Sequence, residues 1–499
     1  MRNSTLLAGG IAAWVLCAPF AANAQATQEG ADRIRLGLKD WIATNLSSPD
    51  KSFVLNFQGP IAVQPQGDAY KAVIPASELT VTNSGEADKL PIGPIEMVLT
   101  PQANGWFDTV VTIPSSYRVD GKDGKGAEVT IGSQSLRGVF APQYAAFMTL
   151  DAKLGTVEIH PLEPGQEKAA FRIGEISVTG DSKEVGRDTY DSTALLSLKD
   201  GIFLDEKGAQ LLKLDGVTLE GKAAAANLLA LHEFSQKLED LKKRYPAKAG
   251  EDVPKEFLAD LGRILDGTPK LFDDFGLTYG ITGLTVTPPD SPEVSRVAIA
   301  NAGFGIGLSG AAKDASTFQV KLDLAKLGIE PAPPFSQFIP QDATVDVALA
   351  NLPNQELWKV LTGSLSSAAT VGPDQVGQMA GAQVVQALLN SNGSIEIRGI
   401  KAMSPLTSID LTGTFKPNAK SPTLVTGQAK LVVTGLEEAV AAAKQMPDGQ
   451  QAVAGLTMIQ GMGKQDTVDG KQARTYDLVV TEKGEILLNG TDLKPLLGL

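Results

Sequence analysis

The phrase LLKLDGVTLEG, Leu211 to Gly221, constrains this chain more than any other stretch, because its pattern of strand, glycine, strand returns wherever helical periodicity is missing. Apolar and polar residues alternate through Leu212, Leu214, Val217 and Leu219, and Asp215-Gly216 marks the point where the alternation slips by one residue and flips faces. Related phrases stand at Phe171 to Thr179, Tyr279 to Thr287 and Ile395 to Met403. Glycine inside a strand costs stability, so its recurrence marks bulges or bends in a strongly curved sheet. The expectation is an α+β fold: a large curved, mainly antiparallel β-sheet, elongated or two-lobed, with amphipathic helices inserted between groups of strands.

In chain order, Ile34, Leu38, Trp41, Ile42 and Leu46 recur at helical spacing and predict a helix from Gln28 to Leu46. Short alternating runs follow to about Leu204, separated by turns such as Asn104-Gly105 and Asp120-Gly121, the grammar of antiparallel hairpins. Two of these runs, Ala146 to Leu150 and Thr156 to His160, read as separate strands, as do Thr193 to Leu198 and Gly201 to Leu204. From Ala223 to Tyr245 the texture becomes helical, with Leu228, Leu231, Phe234, Leu238 and Leu241 on one stripe. Pro246 stops that helix, and Pro254 opens a second one carrying Phe257, Leu258, Leu261, Ile264 and Leu265. Strands then alternate with helices at Asn354 to Leu361, Pro373 to Asn390, Leu436 to Met446 and Gln450 to Gln460. The predicted division is a signal peptide (1–24), an N-terminal β-rich lobe (25–222), a helical hairpin insertion (223–275) and a C-terminal α+β lobe (276–499).

The first residues place the protein. Arg2 precedes an apolar run from about Leu6 to Phe20, and Ala22-Asn23-Ala24 stands ahead of Gln25, which is the layout of a secretory signal cleaved after Ala24. The one cysteine, Cys17, lies inside that signal, so the mature chain has no disulfide, no thiolate and no cysteine metal site. The expected location is the periplasm. No later run is long enough for a membrane span. The formal charge of -13 repels phosphate backbones and argues against a nucleic-acid partner.

The C-terminal pattern is distinctive. Gly455-Leu456-Thr457-Met458-Ile459-Gln460-Gly461-Met462 precedes a strand, Lys483-Gly484, and Glu485-Ile486-Leu487-Leu488-Asn489-Gly490. This resembles the C-terminus of an uncharacterised proteobacterial envelope family, a domain of unknown function. The recurring strand-glycine-strand phrases are also similar to those of AsmA-like envelope proteins, a resemblance that implies a long curved sheet with an apolar interior.

Catalytic motifs are scarce. His160 and His232 have no second histidine nearby in sequence, so neither a metal site nor a triad is expected, and no cofactor is implied. Gly305 to Gly310 satisfies G-x-G-x-x-G, but the next strand begins too soon for the helix that such a motif requires. Asp120 to Gly124 reads as a hairpin tip, Ser48-Pro49-Asp50-Lys51 as a turn, and Asp273-Asp274 gives no glycosidase signal by itself.

The expected function is therefore that of an exported, non-enzymatic envelope protein, binding lipid or another hydrophobic ligand in a groove of the curved sheet. The groove residues expected from the helical stripes are Leu231, Phe234, Leu238, Leu241, Phe257 and Leu261. Two alternatives stand beside it: a scaffold that engages another envelope protein, and a hydrolase whose site is assembled from loops.

Overall fold

The computed structural model describes residues 26–45, 53–83, 86–120, 126–162, 170–205, 207–246, 253–268, 270–288, 294–333, 335–368, 370, 373–446, 449–468 and 470–493. The expected signal sequence, Leu46, the turn at 48–51 and residues 121–124 of the predicted hairpin tip lie outside them. Strand exceeds helix, 54% against 24%, as the alternating patterns require. Contacts divide the chain into two compact units, Met1–Lys153 and Leu154–Leu499.

The first unit opens with α1 (Gln28–Asn45), followed by β1 (Phe53–Phe57), β2 (Ala62–Gln66), β3 (Ala69–Ile74), β4 (Ser77–Asn83), β5 (Glu86–Ile92), β6 (Ile95–Pro101), β7 (Phe107–Thr112), β8 (Ser116–Asp120) and β9 (Gly126–Ala141). β1, β4 and β5 form a small sheet, while β2, β3, β6, β7 and β9 pair in that order. The stripe on α1 does what its spacing predicts. Ile34, Leu38 and Ile42 are buried in a cluster with Tyr70, Leu99, Phe107 and Phe140. Tyr70 and Phe107 meet edge to face, and the Tyr70 hydroxyl accepts a hydrogen bond from the Thr27 N–H at 3.0 Å, tying the helix start to the sheet.

β10 (Ala146–Pro161) straddles the division. The second unit continues through β11 (Phe171–Gly186), β12 (Thr189–Leu204), β13 (Gln210–Asn227), α2 (Leu228–Arg244), α3 (Lys255–Asp266), β14 (Asp274–Val286), β15 (Arg296–Ser309), β16 (Ala315–Ala325), β17 (Gly328–Glu330) and β18 (Asp342–Pro353). It ends with α4 (Asn354–Ser367), α5 (Pro373–Leu389), β19 (Ser394–Met403), β20 (Ser408–Pro417), β21 (Val425–Thr434), α6 (Leu436–Ala443), α7 (Gln450–Met462), β22 (Lys464–Val468), β23 (Lys471–Val480), β24 (Ile486–Leu488) and β25 (Thr491–Asp492). From β11 to β16 each strand pairs antiparallel with the next, and the ladder goes on through β18, β19, β20, β21, β23, β24 and β25. The sheet is not closed.

The helical hairpin is an excursion from this ladder. β13 and β14, the strands on either side of α2 and α3, are bonded neighbours, so the sheet runs straight past the insertion. The contacts that divide the chain after Lys153 accordingly leave the strands on either side of residue 222, where the change in sequence texture placed a boundary, in one unit. The helix predicted from Ala223 begins at Leu228 instead. Ala223 and Ala224 pair with Phe275 and Asp274, and this ladder outweighs the helical preference of the alanine run. Asn227 then starts the helix, its side-chain oxygen accepting from the Ala230 N–H at 2.9 Å.

Several predicted pairs of short strands are single long ones. The gap expected between residues 198 and 201 holds Asp200 at φ 55°, and the strand expected to open at residue 156 has Thr156 at φ 51°, so a left-handed residue sits inside each continuous strand. The slip at Asp215-Gly216 belongs to such a fault. Gly216 pairs with Thr282 and Lys213 with Thr285, and the ladder skips the residues between. There Gly283 has φ 60°, and a Cβ on it would lie 2.0 Å from Asp215 Oδ2, so both backbone and space require glycine. The fault crosses neighbouring strands in step, through Asp200 on β12 and Lys326 (φ 54°) between β16 and β17.

The units differ in how they bury apolar side chains. The largest fully buried ones, including Phe140, Ile34, Leu38, Leu99 and Met148, come from the first unit, and Leu241 is the large apolar one contributed by the second. Leu38→Ala should cost about 2–5 kcal/mol in urea-induced unfolding. Phe304→Ala, in a side chain that is 39% exposed, should cost about 1 kcal/mol or less. Equal losses would contradict this contrast.

Candidate functional site

Residues directly opposite one another in an antiparallel ladder point to the same face, so register alone determines what each face carries. Across the second unit one row runs Val178, Leu196, Leu219, Tyr279, Phe304, Leu322, Val345, Ile400, Leu411, Leu431 and Tyr476, each paired with the next. All of these side chains are aliphatic or aromatic. Two residues further along the strands, on the same face, stand Leu277, Ile306, Val320, Val347 and Ile397, and beyond them Phe275, Leu308, Phe318, Leu349, Ile395 and Phe415. On the other side of the first row come Ile281, Ala302, Leu324, Ala343, Ala402, Ile409 and Val433. The opposite face is mainly polar or bare: Glu220, Thr278, Gly305, Lys321 and Asp346 form one row, with ion pairs between Lys321 and Asp346 and between Lys222 and Glu220.

The apolar face is large and partly open. At a strand spacing of about 4.8 Å the first row runs roughly 50 Å, and at a rise of about 3.3 Å per residue the three shorter rows widen the face to roughly 20 Å from β14 onward. Tyr279 is 38% exposed, Phe304 39%, Leu322 44% and Ile395 45%. The sheet area under these rows is on the order of 1,000 Å², part of it covered by helices at the margins, against about 300–600 Å² for the largest apolar patch of a typical monomer.

Helices stand at both margins. α2 and α4 leave the sheet from the ends of β13 and β18, next to the row containing Phe275 and Leu349, while α6 leaves from the end of β21 at the opposite margin. At the first margin α5 places Val385, Leu388 and Leu389 over Leu349, Ile395 and Phe415, enclosing a cavity of about 230 Å³. A second cavity, of about 410 Å³, lies between the segment following α3, the turn after β15 and the start of α4, with Leu308 in its lining. Asn354 fixes this corner: its Nδ2 donates to the carbonyls of Gly310 at 2.8 Å and Lys313 at 2.9 Å, and Oδ1 accepts from the Ser316 hydroxyl at 2.6 Å.

At the far margin Val433, Leu436 and Tyr476 bury together with Leu431, Leu456 and Leu488, closing α6 and α7 over the end of the rows. The Tyr476 hydroxyl donates to the Ile459 carbonyl at 2.8 Å. Arg474, opposite Val433, donates twice to Glu437 Oε1, at 3.1 and 2.8 Å, and Gln460 donates to the same oxygen. The Arg474 guanidinium, helped by Gln460, holds the Glu437 carboxyl below its usual range.

The six residues expected from sequence lie in α2 and α3. Leu241 is fully buried, and Leu231, Phe234, Leu238, Phe257 and Leu261 are half-buried. Phe257 meets Tyr245 edge to face, and Asp260 accepts from Arg244 at 3.0 Å and also from Arg263 and Tyr245, fastening α2 to α3. α3 in turn packs on α4, where a Cβ on Gly262 would lie 2.7 Å from the Ser366 nitrogen. None of the six lines either cavity; Leu265, one turn beyond Leu261, does. Sequence reading missed the rows themselves. Each strand's alternation was visible, but only register shows that neighbouring strands present their apolar residues side by side.

Gly305 and Gly307 lie inside β15. Asp274 Oδ1 accepts from the Gly310 N–H at 2.8 Å, and Asp273 pairs with Lys313, so this carboxylate pair braces a turn. His160 contacts Glu158 at 3.2 Å and His232 contacts Gln236 at 3.1 Å, and neither lines the two cavities. Among the described residues no cluster of three or more His, Cys, Asp or Glu side chains could hold a metal ion, and no helix is long and apolar enough to cross a membrane.

Residues 260–496 match the model of a family described as uncharacterized protein conserved in bacteria (DUF2125), which agrees with the uncharacterised family implied by the C-terminal motif. The match runs from within α3 through β25 and hence over most of the apolar face. No similarity to AsmA-like proteins is shown. No curated protein and no solved structure matches the chain.

Glu437 also gives a pH test of the far margin. Its lowered folded value means that its contribution to stability is present above the unfolded carboxyl value and is lost as pH falls through the folded one. Glu437→Gln should destabilise the second unit by roughly 1 kcal/mol at neutral pH and flatten the acid limb of its unfolding profile. An unchanged acid limb would show that the pair does not hold this margin.

Proposed function

We propose that this is an exported envelope protein that holds the hydrocarbon chains of lipid on the apolar face of its second unit, and that it acts as a binding protein without catalysing a reaction. The observation that carries the reading is the unbroken apolar row from β11 to β23, flanked by shorter apolar rows from β14 onward and open to solvent at Tyr279, Phe304 and Leu322. The backbone of these strands is already paired, so an occupant needs apolar surface and few polar groups. Hydrocarbon meets that requirement. Each methylene removed from water contributes about 0.8 kcal/mol, so a chain laying a dozen methylenes on the face gains on the order of 10 kcal/mol before the cost of ordering it.

The signal-like first residues support export, and the cysteine-free remainder of the chain suits an oxidising compartment in which stability depends on packing alone. Helices at both margins give the face side walls, which favours a ligand lying between them over a flat partner surface.

A photoreactive benzoylphenylalanine placed at Phe304 or Leu322 should crosslink to lipid in cells, while the same group at Lys321, on the opposite face, should not. Adducts to protein alone, or equal lipid labelling on both faces, would overturn the proposal.

A further inference from the structure

We infer that the cavity of about 410 Å³ between the end of α3 and the start of α4 is a headgroup site for a single-chain amphiphile with an anionic head. The inference rests on the reading of the apolar face as a hydrocarbon surface and adds where a ligand's polar end sits.

The cavity is amphipathic. Leu265, Leu271, Phe272, Leu308, Leu357 and Trp358 supply apolar wall. Leu308 also belongs to the face, between Phe275 and Phe318, so a chain leaving the cavity can continue along that row. The volume is toward the lower end of the roughly 300–1,000 Å³ typical of small-ligand sites, which suits one chain better than two.

The charge at the cavity has one sign. Lys270 and Lys313 line it and no carboxylate does. Among the described residues Lys270 has no ion-pair partner. Lys313 reaches Asp273 at 3.5 Å, but its side chain is 69% exposed, and such pairs contribute little and exchange readily. Asn354 is fully engaged in fastening the rim, so its amide does not compete for the head. Two ammonium groups beside an apolar pocket complement a carboxylate or a phosphate monoester on one alkyl chain.

Trp358 is the natural reporter. 9,10-Dibromostearate should quench its emission, and Trp358→Phe should remove that quenched component. Lys270→Glu combined with Lys313→Glu should weaken dibromostearate binding by about tenfold or more, with Lys270→Gln and Lys313→Gln giving a smaller loss in the same direction. Added salt should weaken binding to the wild type. Displacement by oleoyl lysophosphatidic acid would assign the site to phosphate heads as well, and displacement by stearate alone would assign it to carboxylates. Both outcomes support an anionic-head site.

Unchanged binding in the charge-reversed variant, when its circular dichroism matches the wild type, would overturn the inference, as would equal quenching by a brominated fatty alcohol. Lipid crosslinks at Phe304 that persist in that variant would then leave the hydrocarbon face standing without this headgroup site. Their absence from the wild type would remove the underlying reading as well.

Discussion

The second unit depends on one constraint: a long antiparallel ladder sends every second side chain to the same face, and among the described residues the middle of that face is left partly exposed. Where two layers pack, apolar rows become core. Here Tyr279, Phe304 and Leu322 remain more than a third exposed, while helices cover the rows only toward the margins, at Phe415 on one side and at Val433 and Tyr476 on the other. The backbone hydrogen bonds of the ladder hold the strands together without help from a sealed interior. A surface of this size thus stays apolar and accessible, and the fold tolerates it because the ladder and the marginal helices carry the stability.

The first unit shows the ordinary solution within the same chain. α1 seals its sheet with Ile34, Leu38 and Ile42, and the fully buried side chains concentrate there. The two units thus divide the tasks of stability and surface. In the second, two of the three helical pairs are spliced between strands that remain bonded to one another, β13 to β14 and β18 to β19, while after α6 and α7 the ladder resumes with β23 on β21, so the insertions add walls without breaking the rows.

Much of this architecture was legible in the sequence. The α1 stripe, the helix following Pro254 and the slip at Asp215-Gly216 occur where local pattern places them, and the helix expected from Ala223 is present from Leu228, because spacing and capping act over a few residues. Longer strands were less visible. Asp200 and Thr156 adopt left-handed conformations inside strands, which no residue preference announces, so single strands looked like pairs. The alanines from 223 to 226 read as helix because their strand partners lie some 50 residues away in sequence, at 274 and 275, or on β12. For the site, the α2 and α3 stripes drew attention because a helical face can be read from one segment. The rows cannot, since each is assembled from many strands by register, and residues such as Phe304 and Leu322 gain meaning only as neighbours. The corner made by Lys270, Lys313 and Trp358 was hidden for the same reason.

The central claim is that hydrocarbon occupies the open face. The most direct measurement is native mass spectrometry of the protein released from the exported fraction without detergent, followed by extraction of whatever leaves it. The account predicts a mass above that of the polypeptide by one or more lipid molecules, reduced to the bare polypeptide when Phe304 and Leu322 are both replaced by glutamate in a chain whose first unit remains folded. A folded wild-type protein that carries no lipid, before or after incubation with envelope lipid vesicles, would contradict it.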